Sequence, residues 1–351
     1  MELQEVAASL GVQAQGALDY PITGAGDIER LSPQEPLEEN KIYFVESPAV
    51  LKRHPGAAGP RGAVLTTPAL AGNFERALVT ELKGLRPALI KLLSLFDKTP
   101  VFKAQIHPRA NVDPAARVAA SARVLAGATV MEGASVGEDC LLYPGVVLEP
   151  FAEIGDGTVL YPGVVIGHHC RVGKRCIVHG ATVIGADGFG FYDEPGKRHK
   201  IPQIGNVVID DDVEIGASCT VDRATIESTR IGAQTKIDDQ VHVGHNCQVG
   251  RYIYIVGNTA IGGSVTIGDG AMISGMVIIK DHLKIAKGSI IMGMSGVAQD
   301  TEPNTAYFGV PARPARQMHK MNAALERLPE LITQVRALKA KVEGPAPVGK
   351  E

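Results

Sequence analysis

The chain has 351 residues, of which 45% are hydrophobic and 21% charged, with a formal net charge of −3. That balance excludes a disordered chain and argues against a generic nucleic-acid binder, which needs a basic surplus. Tryptophan is absent and aromatics are only 5%, while glycine reaches 40 residues, so the core must be built from aliphatic side chains. Cys140, Cys170, Cys176, Cys219 and Cys247 are scattered without a C-x-x-C pair. They fit reduced thiols in a cytoplasm better than a disulfide framework or a zinc site. The opening MELQEVAASLG lacks a charged-then-apolar leader. No apolar run reaches the roughly 18 residues that a membrane span requires.

Residues 1–100 read as a small α/β domain. EVAASLGV predicts a short amphipathic helix, KIYFVES and GAVLTT predict strands, and NFERALVTELKGLRPALIKLLSLF predicts helical segments. From Ile106 a different order takes over. Stepping by six from Val112 gives Val118, Val124, Val130, Val136, Leu142, Leu148, Ile154, Leu160, Ile166, Val172, Val178 and Ile184. The loop GADGFGFYDEPGKRHKIPQIGN, from Gly185 to Asn206, interrupts the register. It resumes at Ile209, Ile215 and Val221, slips once, and runs from Ile231 to Val297. A period of six belongs to neither an α-helix nor an alternating strand. It predicts a mainly β chain over 101–307, a parallel β-helix of hexapeptides in which three hexads form a triangular coil of about 18 residues. Most of such a repeat is scaffold, so function is sought where it is broken or decorated.

After the repeat, GVPARPARQ forms a Pro-rich corner and residues 308–351 predict an α-helical extension. Met318, Met321, Leu325, Leu328, Ile332, Val335 and Val342 form a heptad-like stripe on one helix, which either packs on its own coil or joins other subunits. Arg313, Arg316 and Lys320 open a basic segment that reads either as a solvated face or as a docking patch for an acidic partner. GPAPVGKE reads as a loose tail.

Among the ten histidines, His54, His107, His168, His169, His179, His199 and His319 read as structural or surface residues. TKIDDQVHVGHNCQVG holds the two others of interest, His242 and His245, and His282 follows. Residues 18 apart stack on adjacent coils, about 4.8 Å apart. Gly263 therefore lies beside His245, Ser264 beside Asn246, and His282 one coil further on the Asn246 column. Asp238 sits about one hexad before His245, where a carboxylate could orient an imidazole. A neutral His as proton acceptor, a supporting carboxylate and a bare backbone N–H together suit acyl transfer. The competing reading is histidines that only line a core. A zinc site shared between subunits lacks a third His in adjacent sequence, and no metal is expected.

The run IPQIGNVVIDDDVEIGASCTVDRATIESTRIGAQTKIDDQVHVGHNCQVG, with GADGFGF before it and GVPARPARQ after it, closely resembles the UDP-3-O-acylglucosamine N-acyltransferases of lipid A biosynthesis. The resemblance covers most of the chain. It implies a left-handed coil, a cytoplasmic homotrimer of a Gram-negative-type bacterium, and an N-terminal domain that binds the uridine of a UDP-sugar. It implies transfer of a 3-hydroxyacyl chain from acyl carrier protein to the 2-amine of UDP-3-O-(3-hydroxyacyl)glucosamine. No bound cofactor is implied, because the donor carries its own phosphopantetheine. It leaves room for peripheral association with the inner membrane.

Residue by residue, the family's general base falls on His245, its carboxylate on Asp238, its oxyanion glycine on Gly263, and its second histidine on His282. Asn246, Phe189 and Phe191 are implied as contacts of the sugar or acyl groups, although the loop bearing the two rings reads equally as a lid or coil cap. The carrier protein gives Arg313, Arg316 and Lys320 a partner. Two departures stand out. Asp239 replaces the usual Asn, an extra carboxylate that would raise the His245 pKa if close. The uracil motif F-x-x-N-P-x-Y reads FVESPAV here, keeping Phe44, placing Ser47 for Asn and Val50 for the aromatic. The rival readings are a UDP-N-acetylglucosamine O-acyltransferase of the same pathway, which lacks such an N-terminal domain, and a non-catalytic hexapeptide scaffold.

Overall fold

The structure is a computed structural model describing residues 1–343; the tail GPAPVGKE lies outside the described residues. The chain divides into two compact units, residues 1–101 and residues 102 onward.

The first unit holds a five-stranded sheet in the order Gln13–Gln15, Ala77–Val79, Ala63–Thr66, Lys41–Val45, Gly24–Gly26. Only Gln13–Gln15 runs antiparallel to its neighbour. Ala63–Thr66 is buried at every residue, as expected of a parallel strand covered on both faces. Helices Leu3–Leu10 and Leu82–Leu95 cover one face through Leu3, Val6, Leu10, Leu85 and Leu92. Ile28, Leu37, Val50, Leu70 and Phe74 fill the other.

The second unit is the expected left-handed parallel β-helix. Its first face begins at Gln105–Ile106, its second at Asn111–Val112 and its third at Arg117–Val118, and successive strands return to each face in turn. Most strands are two residues long, one pointing out and one in. On the second face Val130, Leu148 and Ile166 pair in register, 18 residues apart and each at most 1% exposed. One continuous aliphatic core runs from Ala122 to Tyr307.

Between strands the chain must turn in four residues. The third residue after the inward aliphatic takes positive φ, at Gly127 and Gly145 but also at Asp139, Phe151, Asn246, Ser264 and His282. For a residue with a Cβ this costs roughly 1–2 kcal/mol, and the closed coil holds it there. Two residues before the inward aliphatic a small polar group ties the corners together. Thr182 Oγ1 donates to Gly216 O at 2.7 Å and accepts from Cys219 N at 3.1 Å. Thr158, Thr235 and Thr259 make the same bridge. Cys140, Cys219 and Cys247 use the slot with Sγ donating to Gly155 O, Asp238 O and Gly262 O at 3.1–3.2 Å. The cysteines thus stand in for threonine, which is why their number carries no pairing logic.

The coil ends where Ala306–Phe308 continues the first face and Arg313–Pro314 pairs with it antiparallel. The extension is two helices, Ala315–Glu326 and Leu328–Glu343, not the single helix predicted. Pro329 is the cause: it has no N–H for the carbonyl four residues back, and it is tolerated in the first turn of the second helix. Leu325, Leu328, Ile332 and Val335 of the stripe remain exposed.

Burial pushes all five thiols up, Cys176 to about 11 and Cys247 to about 12. Since the thiolate is the reactive form, Ellman's reagent at pH 8 is expected to leave the native protein unlabelled and to titrate five thiols in guanidinium. Fast labelling of the native chain would mean that the coil opens.

Candidate active site

The breaks in the repeat all fall at one corner, between the second and third faces. The loop Gly185–Asn206 leaves the second face after Val183–Ala186 and re-enters on the third at Asn206–Ile209. The slip of register lies between Thr220–Asp222 and Ser228–Ile231, again second face to third. His245, Gly263 and His282 turn this same corner in the next three coils, after Val243, Ile261 and Ile279.

His245 is half-buried there. A Cβ built on Gly263 would lie 2.6 Å from His245 Nε2, and one on Gly188 would lie 2.6 Å from His245 Cβ. The imidazole therefore occupies space that two glycines leave open, one on the next coil and one in the loop. Asn246 fixes its tautomer. The Asn246 amide oxygen accepts from Thr225 N at 3.0 Å while its NH2 donates to Ile226 O at 3.1 Å. With that oxygen pinned as an acceptor, His245 Nδ1, 3.0 Å from it, must be the donor. The network assigns the proton to Nδ1 and leaves Nε2 unprotonated, with Gly263 against the face of the ring. Asn246, read from sequence as a substrate contact, thus has its amide engaged in holding His245.

The Gly263 N–H is also uncapped. At three equivalent turns a carboxylate of the next coil takes the backbone N–H: Asp156 from Glu138 N, Asp211 from Lys174 N, Asp269 from Arg251 N, all at 2.8–3.0 Å. Asp281 holds that place beyond Gly263, yet it pairs with His282 Nε2 at 3.8 Å. No described residue accepts the Gly263 N–H. His282 is exposed, and its own N–H donates to Gly263 O at 2.9 Å.

Asp238 is not brought to His245 within one chain. Seven residues is one hexad plus one, which places it at the preceding corner, between the first and second faces. Its Oδ2 accepts from Gly257 N at 3.0 Å, and with His179, Lys236 and Tyr254 it lines a cavity of about 600 Å³. Asp239 accepts from Ala217 N at 2.6 Å and serves that corner as a cap.

Two charged residues at the site, Asp222 and Arg223, went unread in the sequence. Asp222 is 6% exposed, with Oδ2 3.7 Å from His242 Nε2. Arg223 is 1% exposed; its guanidinium donates to Gly185 O at 2.9 Å, Gly205 O at 3.4 Å, His168 O at 3.3 Å and His168 Nε2 at 2.6 Å. It pins both ends of the loop to the coil, and burial and its charge lower the His168 pKa. The signal was VDRATI, a charged pair set directly after an inward Val. The loop itself reaches the site through Gly188 and through Gln203, which accepts from Thr225 Oγ1 at 2.9 Å. Phe189 is 85% exposed and meets Phe191 edge to face at 5.0 Å.

In the first unit Phe44, Ser47 and Val50 share one cavity of about 410 Å³ with Glu29, Glu46 and Arg53. Arg53 and His54 pair with Glu29 and hold its pKa down. Val50 supplies no ring opposite Phe44. Arg313, Arg316 and Lys320 are exposed at the start of the extension. Arg223→Ala is expected to cost at least about 2 kcal/mol of stability by orphaning buried carbonyls and to speed tryptic cleavage at Lys197–Lys200. Unchanged thermal unfolding and proteolysis would remove Arg223 as the loop's anchor.

The hexapeptide-transferase model of six repeats matches residues 151–186, and the GMPPB C-terminal domain model matches 198–295. Among solved structures, the Arabidopsis UDP-N-acetylglucosamine acyltransferase superposes with a TM-score of 0.54 at 26% identity, covering 60% of this chain and 73% of that one. The UDP-3-O-acylglucosamine N-acyltransferase of Methylorubrum extorquens strain PA1 is 43% identical over 146 residues, a match spanning 42% of each chain. The enzyme of that name from Pseudomonas paraeruginosa is 34% identical over 342 residues, 97% of this chain and 94% of the relative. On that near-complete match the chain belongs to the UDP-3-O-acylglucosamine N-acyltransferase family.

Proposed function

We propose that the protein transfers a 3-hydroxyacyl chain from acyl carrier protein to the 2-amine of UDP-3-O-(3-hydroxyacyl)glucosamine, giving the 2,3-diacylated sugar of lipid A biosynthesis. The observation that carries this reading is an imidazole with Nε2 unprotonated, packed against Gly263, whose N–H no described residue accepts. The neutral amine attacks the thioester carbonyl. His245 Nε2 takes one amine proton as the C–N bond forms. The Gly263 N–H stabilises the oxyanion of the tetrahedral intermediate. Collapse breaks the C–S bond, and the phosphopantetheine sulfur leaves with the proton that the imidazolium returns.

His282 positions the sugar or its phosphates, and Phe44 and Ser47 hold the uracil, with affinity reduced by the missing ring at Val50. Phe189 and Phe191 approach the acyl or sugar groups from the loop. Arg313, Arg316 and Lys320 dock the acidic carrier protein. The active unit is a cytoplasmic homotrimer. The exposed stripe of the extension joins the copies, and an apolar groove between coils of neighbouring copies sets the acyl length. No helix among the described residues is long and apolar enough to cross a membrane, so contact with the inner membrane would be peripheral. The chemistry needs neither a bound cofactor nor a metal.

The test is a mass-spectrometric assay with 3-hydroxyacyl carrier proteins of several lengths. The expected product is N-acylated, with UDP-N-acetylglucosamine left unmodified; acylation of that sugar instead would establish the O-acyltransferase. His245→Ala is expected to lose about 10²-fold or more in turnover. Gly263→Ala is expected to lose a similar factor, because its Cβ must displace the imidazole while meeting no backbone within 3 Å in the next coil. Near-wild-type turnover in either variant would remove that residue from the mechanism.

A further inference from the structure

The geometry points to Asp222 as a positioning residue of this site, the anion that balances the positive charge His245 acquires when it takes the amine proton. This rests on the acyl-transfer reading above. Asp222 is 6% exposed and accepts a hydrogen bond from no described residue. A buried carboxylate without donors is expensive and is ordinarily paired. What faces it are imidazoles. His242 Nε2 stands 3.7 Å from Oδ2. Val221 pairs with Val243 across adjacent coils, so Asp222 comes level with Gly244, the residue before His245.

His245 itself needs such a partner. Its Nδ1 proton goes to the Asn246 amide, which orients the ring but carries no charge. Once Nε2 is protonated the ring is a cation in a corner closed by Gly188, Gly263 and the Arg223-anchored loop. Asp222 supplies the countercharge through space and leaves the proton on the ring, so that the departing sulfur can collect it. Burial holds the Asp222 pKa up, and the charges of His242 and His245 draw it down. Asp187 from the loop opposes them, but it is itself paired with Lys200 and lies 3.8 Å from Arg223 Nε. The neighbouring Cys247 thiol stays protonated, its pKa pushed up to about 12. His242 is half-exposed and connects the carboxylate to solvent.

The experiment is histidine Cε1 NMR titration of the full chain, with the His245 signal assigned by its absence in His245→Gln, alongside kcat and KM against pH. Removing an anion destabilises the imidazolium, so Asp222→Asn is expected to lower the His245 pKa by about one unit or more. It should move the acidic limb of kcat/KM down by the same interval and cut kcat about tenfold or more with KM for the sugar nearly constant. An unshifted His245 pKa in Asp222→Asn overturns the proposal. If the wild type transfers no acyl chain while the pKa shift is present, the acyl-transfer reading falls and the Asp222–His245 coupling stands. Asp222→Ala serves as the second variant if the Asn protein does not fold.

Discussion

Closure of the coil in 18 residues is the constraint on which the rest of this structure depends. Each strand contributes a single inward side chain, so a face is stable only as a stack, with Val130 on Leu148 on Ile166. The backbone must leave each face within four residues, and it does so through a positive-φ residue held by its neighbours rather than by its own preference. Once that geometry repeats, position in the chain becomes position in space. Any side chain placed at a corner has known neighbours above and below.

The proposed acyl transfer draws on this rigidity. In several corners the repeat satisfies its own polar groups, through threonine and cysteine bridges and through carboxylate caps on N–H groups. At the corner of His245, Gly188 and Gly263 offer no side chain, Asp281 pairs with His282 instead, and no described residue accepts the Gly263 N–H. An oxyanion donor on such a scaffold costs no reorganisation at the moment of reaction. The imidazole is equally constrained, because Asn246 is fixed by Thr225 and Ile226 before it touches His245. Both excursions of the chain, the long loop and the short slip, wall off the same corner.

How much of this was legible follows from what a repeat encodes. The hexad was plain because every inward position must be aliphatic, and the 18-residue step placed Gly263 at His245 without coordinates. The same arithmetic could not follow Asp222 and Arg223, because the slip between Val221 and Ile231 changes the step and loses the column. Asp238 illustrates a different limit: nearness in sequence suggested one site, whereas one hexad plus one residue is a different corner of the triangle. The cavity of the first unit was legible as a set, since Phe44, Ser47 and Val50 do meet, but its acidic neighbours Glu29 and Glu46 come from separate strands and turns. In the extension the apolar stripe hid the stop that Pro329 imposes.

A coil of stacked strands has an inherent hazard: its last turn presents unpaired backbone groups in the register another coil would need. The antiparallel return of Arg313–Pro314 onto Ala306–Phe308 changes the polarity of that final edge, and Pro314 has no N–H to offer. A second molecule arriving end-on would meet a strand running the wrong way, followed at once by a helix. On the first face the short reversal therefore leaves no parallel edge for another coil to extend.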